Sequence, residues 1–127
     1  MRLNDISAKV IDAAINIHRK LGPGLLESVY RKILAYELRK QGLKVEEETP
    51  IPVIWDDIRI DLGFRADLIV EDRVIVELKS LEEVHPVHYK QILTHLRLAD
   101  KRLGLLINFG EVLLKDGIHR MVNKLEE

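Results

Sequence analysis

Three ionisable side chains stand where an aliphatic core would be expected. In the run Phe64-Arg65-Ala66-Asp67-Leu68-Ile69-Val70-Glu71-Asp72-Arg73-Val74-Ile75-Val76-Glu77-Leu78-Lys79-Ser80, the residues Asp67, Glu77 and Lys79 are embedded among Val, Ile and Leu. Ionised groups are rarely buried unless they are paired or hold a metal. The run reads as two β-strands joined by an acidic turn. Side chains alternate faces along a strand, so Glu77 and Lys79 point the same way. A three-residue loop over 71–73 pairs Val70 with Val74 and brings Asp67 opposite Glu77 on one face. A two-residue loop would send Glu77 to the other face. The odd-length loop is therefore expected, although Arg73 is not the glycine that such a loop prefers.

Two neighbouring carboxylates repel, and a divalent cation is the usual remedy. Hard oxygen ligands suit Mg²⁺ or Mn²⁺ rather than zinc. A lysine two residues along can act on a metal-bound water or stabilise charge developing on a phosphate. An Asp/Glu/Lys salt-bridge network at a sheet edge fits the same spacing, which does not choose between the two.

The rest of the chain must position these groups. With 127 residues it is expected to form one domain, 1–127, able to bury an ordinary core. Twenty basic against 21 acidic residues leave a net charge of −1, which excludes a polycation holding nucleic acid by bulk charge. The absence of cysteine excludes disulfide frameworks, thiolate zinc sites and cysteine nucleophiles. Only 5% of residues are aromatic, too few for a surface that stacks many bases. No apolar run approaches a membrane span and residues 1–5 do not resemble a secretory signal, so a soluble, cytoplasmic protein is expected.

Ile6, Val10, Ala13, Ile17 and Leu21 recur at helical spacing after a cap at Asn4 or Asp5. Gly22, Pro23 and Gly24 end that helix. A second is expected over 25–41, with Leu26, Val29, Ile33 and Tyr36 inward and Gly42 as a left-handed cap. Five Val- and Ile-rich runs then read as strands over 45–48, 51–55, 58–62, 66–70 and 74–78, the last two central and covered on both faces. A third helix is expected over 86–98, a buried strand over 102–107 and a short one over 112–114. The tail, 118–127, reads as a strand followed by a frayed helix. The expected order is ααβββββαββ, an α/β sandwich with a mixed sheet.

Asp67, nine intervening residues and Glu77-Leu78-Lys79 resemble the signature of the PD-(D/E)XK nuclease superfamily, with Ala66 replacing the proline that often precedes its aspartate. Gly24-Leu25-Leu26-Glu27-Ser28-Val29-Tyr30 matches the motif that names a small prokaryotic family of that superfamily, GxxExxY. Val87-His88 with Gln91, and Gly104-Leu105-Leu106-Ile107-Asn108-Phe109-Gly110, also look like that family. The resemblance implies a restriction-endonuclease-like core, a mixed β-sheet flanked by helices. It implies Mg²⁺ (or Mn²⁺) bound by Asp67, Glu77, the backbone carbonyl of Leu78 and Glu27, with Lys79 positioning the attacking water. Gln91 corresponds to a glutamine of the Q-x-x-x-Y motif of exonuclease-like members, whose tyrosine is replaced here by His95. A glutamate in a helix's first turn is also favoured by the helix dipole. Tyr30, His95 and Ser80 could stand behind the site, or serve as an ordinary core tyrosine, a half-buried histidine and a surface serine.

The other histidines fit no zinc spacing. Pairs of basic residues, Arg19-Lys20, Arg31-Lys32, Arg39-Lys40 and Lys101-Arg102, read as solvated faces or as a rim that offsets phosphate repulsion. The expectation is a metal-dependent, nuclease-like phosphodiesterase acting on nucleic acid, with DNA favoured. A second copy or partner protein would supply any targeting, and no membrane is involved. The alternative is a catalytically silent module that binds nucleic acid or protein on the same fold.

Overall fold

The computed structural model describes residues 1–124. Helix α1, Leu3–Leu21, buries Ile6, Val10, Ala13 and Ile17 of the expected stripe but leaves Leu21 at its end exposed. It begins earlier than an Asn4 or Asp5 cap would allow, and Asp5 caps from inside the first turn, accepting the Arg2 N–H at 3.2 Å. Helix α2, Glu27–Lys40, keeps the expected Ile33 against the core but otherwise turns a different face inward from the one expected. Tyr30, Leu34, Ala35 and Leu38 are buried, whereas Leu26, Val29 and Tyr36 lie in solvent. Both sets recur at helical spacing, and only the sheet beneath decides between them. Gly42 ends α2 as expected, with φ of 84°. Its N–H reaches the Arg39 carbonyl and the Leu43 N–H reaches that of Leu38, a Schellman motif.

The five strand-like runs before the third helix form three strands: β1, Val45–Trp55, β2, Ile58–Val70, and β3, Val74–Lys79. β1 runs through Pro50 and Pro52, which are tolerated because β1 is an edge strand, where a missing N–H need leave no ladder bond unmade. Helix α3, Pro86–Ala99, crosses over to β4, Leu103–Asn108. In place of the strand expected over 112–114 stands a loop, then a 3₁₀ turn over Leu114–Gly117; Val112 is exposed. Strand β5, Ile118–Val122, follows, and the expected tail helix reaches residues 125–127, which lie outside those described.

The sheet order is β1-β2-β3-β4-β5, antiparallel except for the β3–β4 pair. Helices α1 and α2 cover one face, over Leu68, Val70, Val74, Val76, Leu103 and Leu105. The opposite face presents Ala66, Ile69 and Ile75 to Leu96 of α3. Strands β3 and β4 are thus buried from both sides, which accounts for their near-continuous aliphatic sequence. Among the described residues, no helix is long and apolar enough to cross a membrane.

Candidate active site at the splayed end of two strands

The β2–β3 register is the one the three-residue loop requires: Val70 pairs with Val74, Ile69 with Ile75 and Leu68 with Val76. Continued by one residue, it sets Asp67 across from Glu77. Strict alternation fails at this point, however. Phe64 and Ala66 pack on the α3 face together with Ile69, yet Leu68 and Val70 face α1 and α2. The alternation therefore skips at Asp67. Across from it on β1, Glu48 sits between the Glu47–Leu68 and Thr49–Ala66 pairs with φ of 48°. Such irregularities re-aim side chains next to functional sites.

The outcome corrects the simple one-face expectation. Asp67 lines a cleft of about 290 Å³ with Leu26, Glu27, Ser28, Arg31 and Leu78, on the α2 side of the sheet. Glu77 meets α3, where its Oε2 accepts a hydrogen bond from His95 Nδ1 at 2.5 Å. The carboxylates are thus approached from opposite sides, at the end where β2 and β3 part. In place of a ladder bond there, the Leu78 N–H donates to Asp67 Oδ2 at 2.8 Å.

Burial pushes the Asp67 carboxyl above its ordinary range. The Leu78 N–H works against this, the negative charges of Glu77 and Glu27 add to it, and Lys79 opposes it. Glu77, Glu27 and Lys79 thus each lie close enough to Asp67 to act on its charge. Among the described residues, no three His, Asp or Glu side chains converge into a ready-made metal cage. Larger hollows, of about 370 Å³ between α1 and α2 and about 490 Å³ beside Val112 and Leu113, contain neither Asp67 nor Glu77.

Second-layer contacts fix these groups. The His95 ring stacks on Phe64 at 3.8 Å between centroids and 8° between planes. Glu77 and His95 are 12% and 20% exposed, so solvent competes little for their bond. Tyr30 is a buried core residue stacked on Phe109 at 4.2 Å. Its hydroxyl donates to the Gly22 carbonyl at 2.6 Å and accepts the Leu25 N–H at 3.2 Å. Ser80 Oγ donates to the Leu25 carbonyl at 2.6 Å. Both residues therefore pin the loop that delivers Glu27 to the first turn of α2. Lys79 is half-buried at the end of β3, and Gln91 lies exposed on α3, one turn before His95.

Three residues carry no individual site role in the sequence reading, where Arg31 stands only in a basic pair and His88 and Asn108 only within family-like motifs. Arg31 lines the cleft and is ion-paired with Glu48 at 3.2 Å and Glu47 at 3.6 Å. Its place four residues after Glu27, on the same helical face, was the available signal. His88 lies close enough to feel both Lys79 and Glu27; burial first, then Lys79 and His85, lower its pKa while Glu27 opposes. Asn108, fully buried, latches the turn after Lys79: its Oδ1 accepts the N–H groups of Leu81 and Gly110, and its Nδ2 donates to the Leu81 carbonyl. Gly110 is required beside it, because a Cβ there would collide with the Leu81 backbone.

No curated protein and no solved structure matches the chain. The sequence profile of one family does match, over residues 4–121, from the start of α1 into β5. That span includes Asp67, Glu77, Lys79, Glu27 and the elements that carry them. The chain belongs to the PD-(D/E)XK nuclease superfamily.

Proposed function

We propose that the protein hydrolyses phosphodiester bonds in nucleic acid with the help of a divalent cation, and that it belongs to the GxxExxY branch of its superfamily. The observation that carries this reading is Asp67: a carboxyl at the parting of two strands, its Oδ2 held by the Leu78 N–H and Glu27 lining the same cleft, with Glu77 and Lys79 close enough to act on its charge. Membership of a nuclease superfamily supports the same chemistry.

The donor chemistry fits Mg²⁺ or Mn²⁺, because the groups are oxygens and their repulsion is what a cation would relieve. Asp67, Glu77, Glu27 and the Leu78 carbonyl would hold it. When bound, such an ion polarises a phosphoryl oxygen and acidifies water. The chain's own groups prepare for this. Asp67 commits Oδ2 to the Leu78 N–H and Glu77 commits Oε2 to His95, so each keeps one oxygen for a ligand. Lys79 supplies a fixed positive charge where charge develops on the phosphate and orients the nucleophilic water. Gln91, exposed on α3, is suited to contact the nucleic-acid backbone. Nothing in the site is arranged to read bases, so cleavage without sequence preference is expected, with DNA the favoured substrate.

The test is cleavage of single- and double-stranded DNA and RNA with Mg²⁺ or Mn²⁺, beside calorimetric metal titration. Activity that survives Glu77→Ala and Lys79→Ala defeats the mechanism. Nucleic-acid binding with neither metal binding nor turnover would instead support a silent module on the same fold.

A further inference from the structure

Beyond the irregularity at Glu48 and Asp67, β1 and β2 continue as a two-stranded arm that β3 does not pair with. Val53 pairs with Ile60 and Trp55 with Ile58, so these four side chains share one face of the arm; Ile54 and Arg59 share the other. Trp55, Ile58, Ile60 and the neighbouring Leu62 are between 51% and 69% exposed. Gly63 keeps the two strands in close contact at the arm's base, since a Cβ there would collide with the Val53 side chain. An isolated two-stranded ribbon is at best marginally stable in water, and it gains from a third layer over its apolar face.

We infer that this face is where two copies of the chain associate, arm against arm about a two-fold axis. The area is one argument. Four large side chains exposed to this degree present on the order of 400 Å² of apolar surface, a size at which patches on soluble proteins are usually interaction sites. Two such faces with their flanking backbone bury roughly 1,000 Å², the lower bound for a specific contact. Shape is the second. A ribbon face can pack on an identical one at ordinary sheet-to-sheet spacing, and a two-fold contact needs the same patch on both partners. Charge is the third. The arm carries Asp56, Asp57 and Asp61 against Arg59 and Arg65, and Arg59 is already ion-paired with Asp61 at 2.6 Å. That balance opposes a phosphate backbone, and the apolar face itself carries no charge for an oppositely charged partner to meet.

Trp55 is the only tryptophan in the chain, so its emission reports on the arm alone. The experiment is sedimentation equilibrium with fluorescence on the whole protein, on Ile60→Lys and on the milder Ile58→Thr. Wild type should show a dimer mass and blue-shifted emission, with mass and emission changing together on dilution. Both variants should be monomers with red-shifted emission and unchanged far-UV circular dichroism. A wild type that stays monomeric with solvent-exposed emission throughout the micromolar range overturns the inference, as does a dimer that persists in both folded variants.

Discussion

His95→Ala tests the arrangement that holds Glu77. The side chain makes a charge-assisted bond to Glu77 Oε2 at 2.5 Å and a parallel stack on Phe64. Losing a hydrogen bond to a charged group costs about 1.5–3 kcal/mol. An aromatic stack contributes about 0.5–1.5 kcal/mol beyond its buried area. With only 12% of the Glu77 side chain exposed, water replaces the lost donor poorly, so the sum is not heavily discounted. The expected destabilisation is about 2–4 kcal/mol, corresponding to a fall in Tm on the order of 10 °C for a domain of this size. Urea melts of His95→Ala, Glu77→Gln and the double variant isolate the pair itself, with an expected coupling of about 1–2 kcal/mol. Phe64→Leu, which removes the stack alone, should cost about 1 kcal/mol. A coupling below about 0.5 kcal/mol would show that Glu77 does not depend on His95.

Asp67→Asn should stabilise the metal-free protein near neutral pH. The folded state raises the Asp67 pKa above its ordinary 3.8, so this group's contribution to stability falls as pH rises from below that value through the folded pKa. Asparagine does not ionise and can still accept the Leu78 N–H, so the gain should vanish in thermal melts at acid pH; a loss of stability near neutrality contradicts the assignment. Gly110→Ala should cost about 1–3 kcal/mol in denaturant melts, since the new methyl group must displace the Leu81 backbone. Tyr30→Phe should cost about 1–2 kcal/mol by leaving Gly22 and Leu25 without their hydroxyl partner. It should also raise amide exchange over 22–26 while the ring stays packed on Phe109; unchanged exchange there would separate Tyr30 from the placing of Glu27.

The register of the hairpin that carries Asp67 and Glu77 was legible because loop length fixes pairing, and Val70 does pair with Val74; that both carboxylates would share one face was not borne out. The skip at Asp67 was not legible. It depends on Glu48 taking a left-handed conformation on the neighbouring strand, and no local signal marks that glutamate. The α2 face was misjudged because Leu26, Val29 and Tyr36 satisfy helical spacing as well as Tyr30, Leu34 and Leu38 do. Their exposure follows from where the sheet lies, a tertiary fact. The continuity of β1 through Pro50 and Pro52 likewise depends on its place at the sheet edge. Arg31, His88 and Asn108 were visible as residue types, but only the packing of α2, α3 and the turn after β3 brings them to the site.

The central claim is that carboxylates at the parting of β2 and β3 support metal-dependent phosphodiester hydrolysis. The most direct measurement is cleavage of a labelled DNA strand in Mn²⁺ by wild type, Glu77→Ala, Lys79→Ala and His95→Ala, each first shown to be folded. The account predicts cleavage by wild type that chelator abolishes, loss of cleavage in Glu77→Ala and Lys79→Ala, and reduced cleavage in His95→Ala. Equal cleavage by wild type and folded Glu77→Ala, or cleavage that survives chelator, would contradict it.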